Sequence, residues 1–483
     1  MTHRLTRHLL TLFLVAGLAA CGSAAQETNQ DDPNQDPCLV DCDPNQNDNQ
    51  NDPNQNDPNQ TDPNQTDPGS PPPGILMQGS LERDTDPHVS PETLAQLTAG
   101  NRDFAFDLFA ALLEEEGDDE NVFISPHSIS LALTMAYAGA ANDTKDQMAQ
   151  ALRISLGDDV HSAFNALDLE LAKRSETEVE EGDNFTLNIV NQTWGQEGFE
   201  FDQDFLDLLA LHYDAGLLLV DFTSEADEIR QAINEWVEYI THDRIKDLLP
   251  ENSVNELTRY ILVNAIYFYG SWANSFNEDH TETGPFHSLD NGPVDVELMN
   301  QTYTFGYHAD DDFLAVSMPY VGEEVSMIAF MPADDGADFR AWEADLTRDD
   351  FDYIAANVAA QREVNLTFPK FQTESDLSLV NAMRLLGMDD AFDACDADFE
   401  NLTGSGPCIP QVSLYISDIF HKSFVSVDEE GTEAAAATAV IFGTTDAEPD
   451  PPVEVRFDRP FYYAIFDHET ETILFLGRLI DID

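Results

Sequence analysis

The chain has 483 residues and a formal net charge of −72, from 93 acidic against 21 basic side chains. With the first 80 residues set aside, 82 acidic and 19 basic remain, so the rest still carries −63 and the acidity is no mere tail. Such a surface repels nucleic acid and other polyanions and stays soluble at high ionic strength, while 42% apolar residues suffice for a sizeable core.

Arg4 and Arg7 precede an apolar run, LLTLFLVAGLAA, that ends at Cys21. The run is too short for a membrane span and reads as a secretory signal over residues 1–20. Leu18-Ala19-Ala20-Cys21 resembles the lipobox of bacterial lipoproteins, which implies cleavage before Cys21 and a lipid on its sulfur. Small residues there also suit an ordinary signal cleavage site, so both readings stand. Gly22 after the cysteine favours the outer membrane or cell surface as the place of a lipid-anchored, exported, extracellular protein.

From Gln26 to Pro73 the tetrapeptide DPNQ recurs at Asp32, Asp43, Asp52, Asp57 and Asp62 with almost no apolar residue between. This stretch cannot bury a core and is expected to be a disordered linker, so residues 21–80 form a tether. An extended Pro-rich chain of that length reaches on the order of 100 Å. Cys38 and Cys42 lie in the tether, Cys395 and Cys408 beyond it, and local disulfides 38–42 and 395–408 are the simplest pairing in an oxidising compartment. Neither pair comes with the histidines a zinc site needs, and no metal or other cofactor is expected.

Residues 81–483 read as one domain of alternating helices and strands. Ser90 caps a short helix to Gly100, with Pro91 in its first turn, and NRDFAFDLFAALLEEE from Asn101 to Glu116 has helical spacing. Val122–Ile124 suit a buried strand, Ser125 a cap, Pro126 the first residue of a core helix and Gly139 its stop. A strand from Thr186, helices at Asp202–Leu211 and Glu225–Thr241, and a buried central strand in Thr258–Phe276 follow. Further strands lie in VELMNQTYTFGYH, AVSMPYVGEEVSMIAFMP and VNLTFPKF, before the closing RFDRPFYYAIFDHETETILFLGRL.

Asp428 to Phe442, DEEGTEAAAATAVIF, is ambiguous on its residues alone. It is either a short alanine-rich helix running into a loop, or a strand whose one face carries Thr432, Ala434, Ala436, Thr438, Val440 and Phe442. Gly431-Thr432-Glu433 and the alanines, preceded by HKSFVSVDEE, resemble the proximal hinge of the reactive-centre loop of serpins. So do NVFISPHSIS, LVNAIYFYGSWANSF, LVNAMRLLGMDDAFD and ADFENLTG, in family order over roughly residues 90–483, with Tyr269 where the family commonly has lysine.

The resemblance implies an α+β serpin fold. It has a large central, mostly antiparallel β-sheet, further sheets, about nine helices and an exposed reactive-centre loop. It also implies a suicide-substrate inhibitor of serine or cysteine endopeptidases. The protease cuts the loop, the loop inserts into the sheet, and the acyl-enzyme is trapped. The hinge would be Glu430, Gly431, Thr432, Glu433, Ala434, Ala435, Ala436, Ala437 and Thr438, and a hydrogen-bonded cluster beneath the parting sheet would join Ser125, Ser128, Asn264 and His421. The family's hinge length puts the reactive bond between Thr445 and Asp446, which suits an elastase- or subtilisin-like target. The span to RFDRPF is about four residues longer than in the family's known inhibitors, so Phe442, for a chymotrypsin-like enzyme, or Asp446 is an alternative. No Lys or Arg lies between Lys422 and Arg456, which disfavours trypsin-like targets.

The implied protein is a monomer and not an enzyme. It has no G-x-S-x-G elbow, H-E-x-x-H or P-loop, and no catalytic residue is assigned. Its partner is the target protease in covalent complex, with the membrane touched only through the lipid. The alternative is a non-inhibitory surface binding protein on the same fold, which would carry bulky or charged hinge residues in place of Thr432 and the alanines.

Overall fold

A computed structural model describes residues 74–77, 79–116, 119–176, 185–410, 412–432 and 451–482. Cys21, Cys38, Cys42, Glu433, Ala434 to Ala437, Thr438, Thr445 and Asp446 lie outside these residues, as does the side chain of Asn264.

The described residues form ten α-helices and sixteen strands. The strands are β1 (Ile75–Met77), β2 (Val122–Ile124), β3 (Phe185–Gln196), β4 (Leu217–Val220), β5 (Tyr260–Ser271), β6 (Glu282–Ser288), β7 (Gly292–Ala309), β8 (Phe313–Pro319), β9 (Val325–Pro332), β10 (Gln361–Pro369), β11 (Phe371–Ser378), β12 (Phe420–Val427), β13 (Gly431–Thr432), β14 (Val453–Arg456), β15 (Phe461–Asp467) and β16 (Thr472–Leu479). Seven make one sheet in the order β1-β4-β3-β5-β13-β12-β11, antiparallel except for the β3–β4 pair. The others make a second sheet, β14-β10-β7-β8-β9-β15-β16-β2, with β6 beside β7.

The burial pattern follows each strand's place. Every residue of β9, β15 and β16 is buried, so their sequences are almost continuously apolar. In β12 buried and half-buried residues alternate, as expected of a strand with one face on the core. The outer face of the seven-stranded sheet is covered by the helix Phe222–Ile240. That helix lays Ile229, Ile233, Trp236 and Val237 against Trp194, Leu218 and Val263. Trp194 and Trp236 meet edge to face at 5.5 Å.

The helix Pro126–Gly139 starts where its sequence says, with the Ser125 hydroxyl accepting the Ser128 N–H and Pro126 at the first position. The two segments expected on either side of Gly100 are one helix, Pro91–Glu116. Gly100 does not end it. A Cβ there would lie 2.8 Å from the Arg153 carbonyl oxygen, so the glycine serves close packing.

Candidate functional site between β5 and β12

β5 and β12 are long strands whose outer edges are fully paired. β5 bonds β3 from Tyr260 to Gly270, and β12 bonds β11 from Phe420 to Val427. Between them, the described residues supply only β13. Gly431 pairs with Ser271, and Thr432 pairs with both Gly270 and Val427. Beyond Thr432 the facing edges of β5 and β12 have no strand between them among the described residues. A cavity of about 300 Å3 occupies the far end of this slot, lined by Tyr260–Val263 on one side and Leu414–His421 on the other.

The top of the slot is a tight turn locked by side chains. Asp428 Oδ1 accepts the N–H groups of Glu430 (3.0 Å) and Gly431 (3.3 Å). Trp272 donates its backbone N–H to the Glu430 carbonyl and its Nε1–H to the Asp428 carbonyl, 2.9 and 3.0 Å away. Gly431 is required by close approach, since a Cβ would meet the Gly270 carbonyl oxygen at 2.2 Å. Thr432 is buried and shares a 2.9 Å hydrogen bond with the Tyr320 hydroxyl. The hinge therefore begins as a strand, with Thr432 facing inward.

One anchor of this turn is absent from the sequence reading. Glu429 is buried, and its carboxylate accepts from Lys370 Nζ at 2.8 Å and Thr281 Oγ1 at 2.6 Å. Burial alone would raise its carboxyl, but the Lys370 and Thr281 bonds outweigh it and hold the group below its ordinary value. No local signal marks this pair, because acidic residues are everywhere and Lys370 is distant in sequence.

Lower down, Ser125, Ser128 and His421 come together. The Ser125 N–H donates to His421 Nε2 at 3.2 Å, the Ser125 hydroxyl donates to the Leu474 carbonyl at 2.7 Å, and Ser128 takes part through its backbone N–H. Burial pushes His421 down to about 4, so it is neutral and accepts with its free nitrogen. Ser423 and Ser375, not singled out from sequence, bind the carbonyl and N–H of Phe123 from β12 and β11. Cys395 and Cys408 form a disulfide, and Phe399 and Leu402, enclosed by it, line the cavity. Among the described residues no group of three His, Cys, Asp or Glu side chains is arranged to hold a metal ion.

A profile of the serpin (serine protease inhibitor) family matches residues 99–482. The chain is 34% identical over 391 residues to the leukocyte elastase inhibitor of Homo sapiens, covering 80% of this chain and 99% of that one. It is 36% identical over 382 residues to an uncharacterised serpin-like protein of Thermococcus kodakarensis, covering 78% and 84%. The crystal structure of Tengpin, a thermophilic serpin in its native state, superposes with a TM-score of 0.69 at 29% identity, over 84% of this chain and 100% of that one.

Proposed function

The chain belongs to the serpin family, one of serine protease inhibitors, and from that premise we propose that it traps its target by inserting its own cut loop into the seven-stranded sheet. The observation that carries this reading is β13: Gly431 and Thr432 already lie as a strand between β5 and β12, and among the described residues no other strand separates the two.

Register makes the proposal concrete. Each further residue of the loop moves one residue back along both neighbours from the pairings of Thr432 with Gly270 and Val427. Ala435 then falls between Tyr267 and Phe424, and Thr438 between Asn264 and His421. Phe442 reaches Tyr260, the end of β5, and Thr445 lies opposite Leu414 at the cavity floor. A reactive bond at Thr445–Asp446 would thus travel the whole slot, roughly 45 Å at strand rise. On the inward face the passengers are Ala434, Ala436 and Thr438, which carry no charge to desolvate.

The protease attacks the bond with its own triad and forms an acyl-enzyme. Insertion drags the enzyme with it and distorts its oxyanion hole, so deacylation stalls. The name of the human relative supports an elastase-like target, in keeping with Thr445. We further propose export as a lipoprotein modified at Cys21, with residues 21–80 holding the domain off an outer-membrane surface.

The test is to mix the protein with elastase-, subtilisin- and chymotrypsin-like enzymes and run a denaturing gel. A band at the summed mass is expected for at least one, with cleavage mapped to Thr445–Asp446. The Thr432→Arg variant, whose charge would be buried against Tyr320, is expected to be cut without forming the complex. No complex with any serine protease, or full inhibition by Thr432→Arg, overturns the reading.

A further inference from the structure

The disulfide between Cys395 and Cys408 joins two stretches that are held to the rest of the protein in different ways. The first, residues 397–402, is anchored by hydrogen bonds. The Asp398 carbonyl accepts the Ala141 N–H at 2.8 Å, the Asp398 N–H donates to Thr144 Oγ1 at 3.0 Å, and the Asp398 carboxylate accepts from Asn142 at 2.8 Å. Asn401 donates to the Ala140 carbonyl at 2.7 Å, and the Leu402 carbonyl accepts the Asp202 N–H at 2.9 Å. A Cβ on Gly139 would meet Leu402 at 2.9 Å, so this stretch sits close against the helix Pro126–Gly139.

The second stretch, the described part of residues 403–415, has only local hydrogen bonds among the described residues. Gly404 donates to the Glu400 carbonyl, Ser405 to Thr403 Oγ1, Ile409 to Ser413 Oγ, and the Ser413 hydroxyl to the Gly406 carbonyl. Bonding to a distant part of the chain resumes at Ile416, whose N–H donates to the Ala391 carbonyl at 2.8 Å. Yet Ser413, Leu414 and Tyr415 are wall of the cavity between β5 and β12. The packing of Leu414 on the core and the covalent tie of Cys408 hold this wall in place. Cys408 has a left-handed backbone, φ 57°, which a residue with a Cβ rarely keeps without constraint. Both cysteines are exposed, so a thiol in solution can reach the bond.

We propose that this disulfide is a redox-operated staple. Closed, it fixes the cavity wall as the partner of a lengthened β13; reduced, it frees the second stretch and disarms the inhibitor. The reductant is a dithiol. One of its thiolates attacks a sulfur of the bond to form a mixed disulfide, and its second thiol then closes on the first. The reductant leaves as its own disulfide, and Cys395 and Cys408 are left as thiols, having gained two electrons and two protons. The trap is thus armed in oxidising surroundings and disarmed in reducing ones. The arming rests on the insertion reading, whereas the release of the second stretch does not.

The test treats the folded full chain with dithiothreitol, alkylates it with iodoacetamide and maps the modified cysteines by mass spectrometry. Cys395 and Cys408 are expected to be alkylated, with amide hydrogen exchange about tenfold faster over residues 403–415 and unchanged over residues 398–402. Against a protease that the oxidised chain traps, the reduced chain is expected to be cut about threefold more often per complex formed. Reoxidation before alkylation should restore the starting ratio. The chain carrying Cys395→Ser with Cys408→Ser is expected to behave as the reduced chain does and to be indifferent to dithiothreitol, which separates this pair from the other cysteines. Three results overturn the staple: cysteines that stay unmodified in the folded chain, exchange over residues 403–415 that does not rise or rises equally over 398–402, or a double variant that still responds to dithiothreitol. If the oxidised chain traps a protease and reduction leaves the ratio unaltered, insertion stands and the arming role falls. If the oxidised chain traps none, insertion and the arming role fall together, and exchange alone decides the release.

Discussion

Glu429 shows what a single residue does at the mouth of the slot. Its carboxylate ties the turn before β13 to β10–β11 through Lys370 and to Thr281, with the Glu429 carbonyl accepting the Phe276 N–H. Lys370 is about one-third exposed, so Glu429→Ala should destabilise by about 1–2 kcal/mol, less than for a fully buried pair. The expected readout is a melting temperature lower by a few degrees. Acid acts on the same residues with a definite sign. A carboxyl held below its ordinary value stabilises the fold above that value, and the benefit is lost as pH falls through the folded one. His421 and His127, both pushed by burial to about 4, bind protons more weakly folded than unfolded, so stability drains away as pH drops from about 6.5 towards 4. His127 is the cleaner test, because it is buried and neither ring nitrogen has a hydrogen-bond partner among the described residues. His127→Leu should raise the melting temperature most near pH 4, by an effect worth roughly 2–3 kcal/mol, and flatten the acid limb of the profile. An unchanged acid limb would remove His127 from this account.

At the scale of elements, what could be read in advance is what depends on local chemistry. Ser125-Pro126 announces a helix start, and YILVNAIYFYGS, with its β-branched and aromatic residues, announces the buried strand β5. Of the hinge, only Gly431 and Thr432 are seen as a strand; for Glu433 to Thr438, which lie outside the described residues, the strand reading rests on resemblance, because four alanines in a row favour a helix on propensity. The seat of β13 between β5 and β12 was not legible from residue types, since it is a fact of pairing. The Lys370–Glu429 contact escaped for a related reason. It joins segments far apart in sequence, in a chain whose acidic residues provide candidate partners everywhere. The slot has its own prediction. Lengthening β13 along β5 and β12 adds backbone bonds of about 0.5–1.5 kcal/mol each, against about 1–2 kcal/mol per residue for ordering the loop. The inward apolar face and the closing of the cavity tip that balance towards insertion. Limited proteolysis within residues 433–450 should therefore raise the melting temperature by more than ~10 °C. A nicked protein that melts where the intact one does would show that the cut loop does not lengthen β13.

The whole molecule is dominated by its charge. Beyond residue 80, 82 acidic side chains face 19 basic ones, and most of the cations are already committed to ion pairs such as Arg83–Asp168, Arg340–Asp290 and Arg348–Asp352. The surplus carboxylates repel one another, and the repulsion is greatest in the compact state. It reaches the site itself. Burial, then the nearby charges of Asp428, Glu278 and Glu429, hold Glu430 above its ordinary value at the very turn from which the loop departs. Salt shortens the range of that repulsion to about 3 Å at 1 M, so both the fold and the turn should tighten as salt is added. The melting temperature at pH 7 is expected to climb steadily from low salt to about 1 M sodium chloride, by roughly 5–10 °C. Sucrose at equal osmolality should reproduce only a fraction of the rise, because it is excluded from the surface without screening charge. If sodium chloride and sucrose act alike, exclusion rather than screening explains the stabilisation, and the excess of carboxylates is then a matter of solubility alone. If salt lowers the melting temperature, the ion pairs around the 19 cations outweigh the repulsion among the 82 acids, and the balance drawn here is reversed.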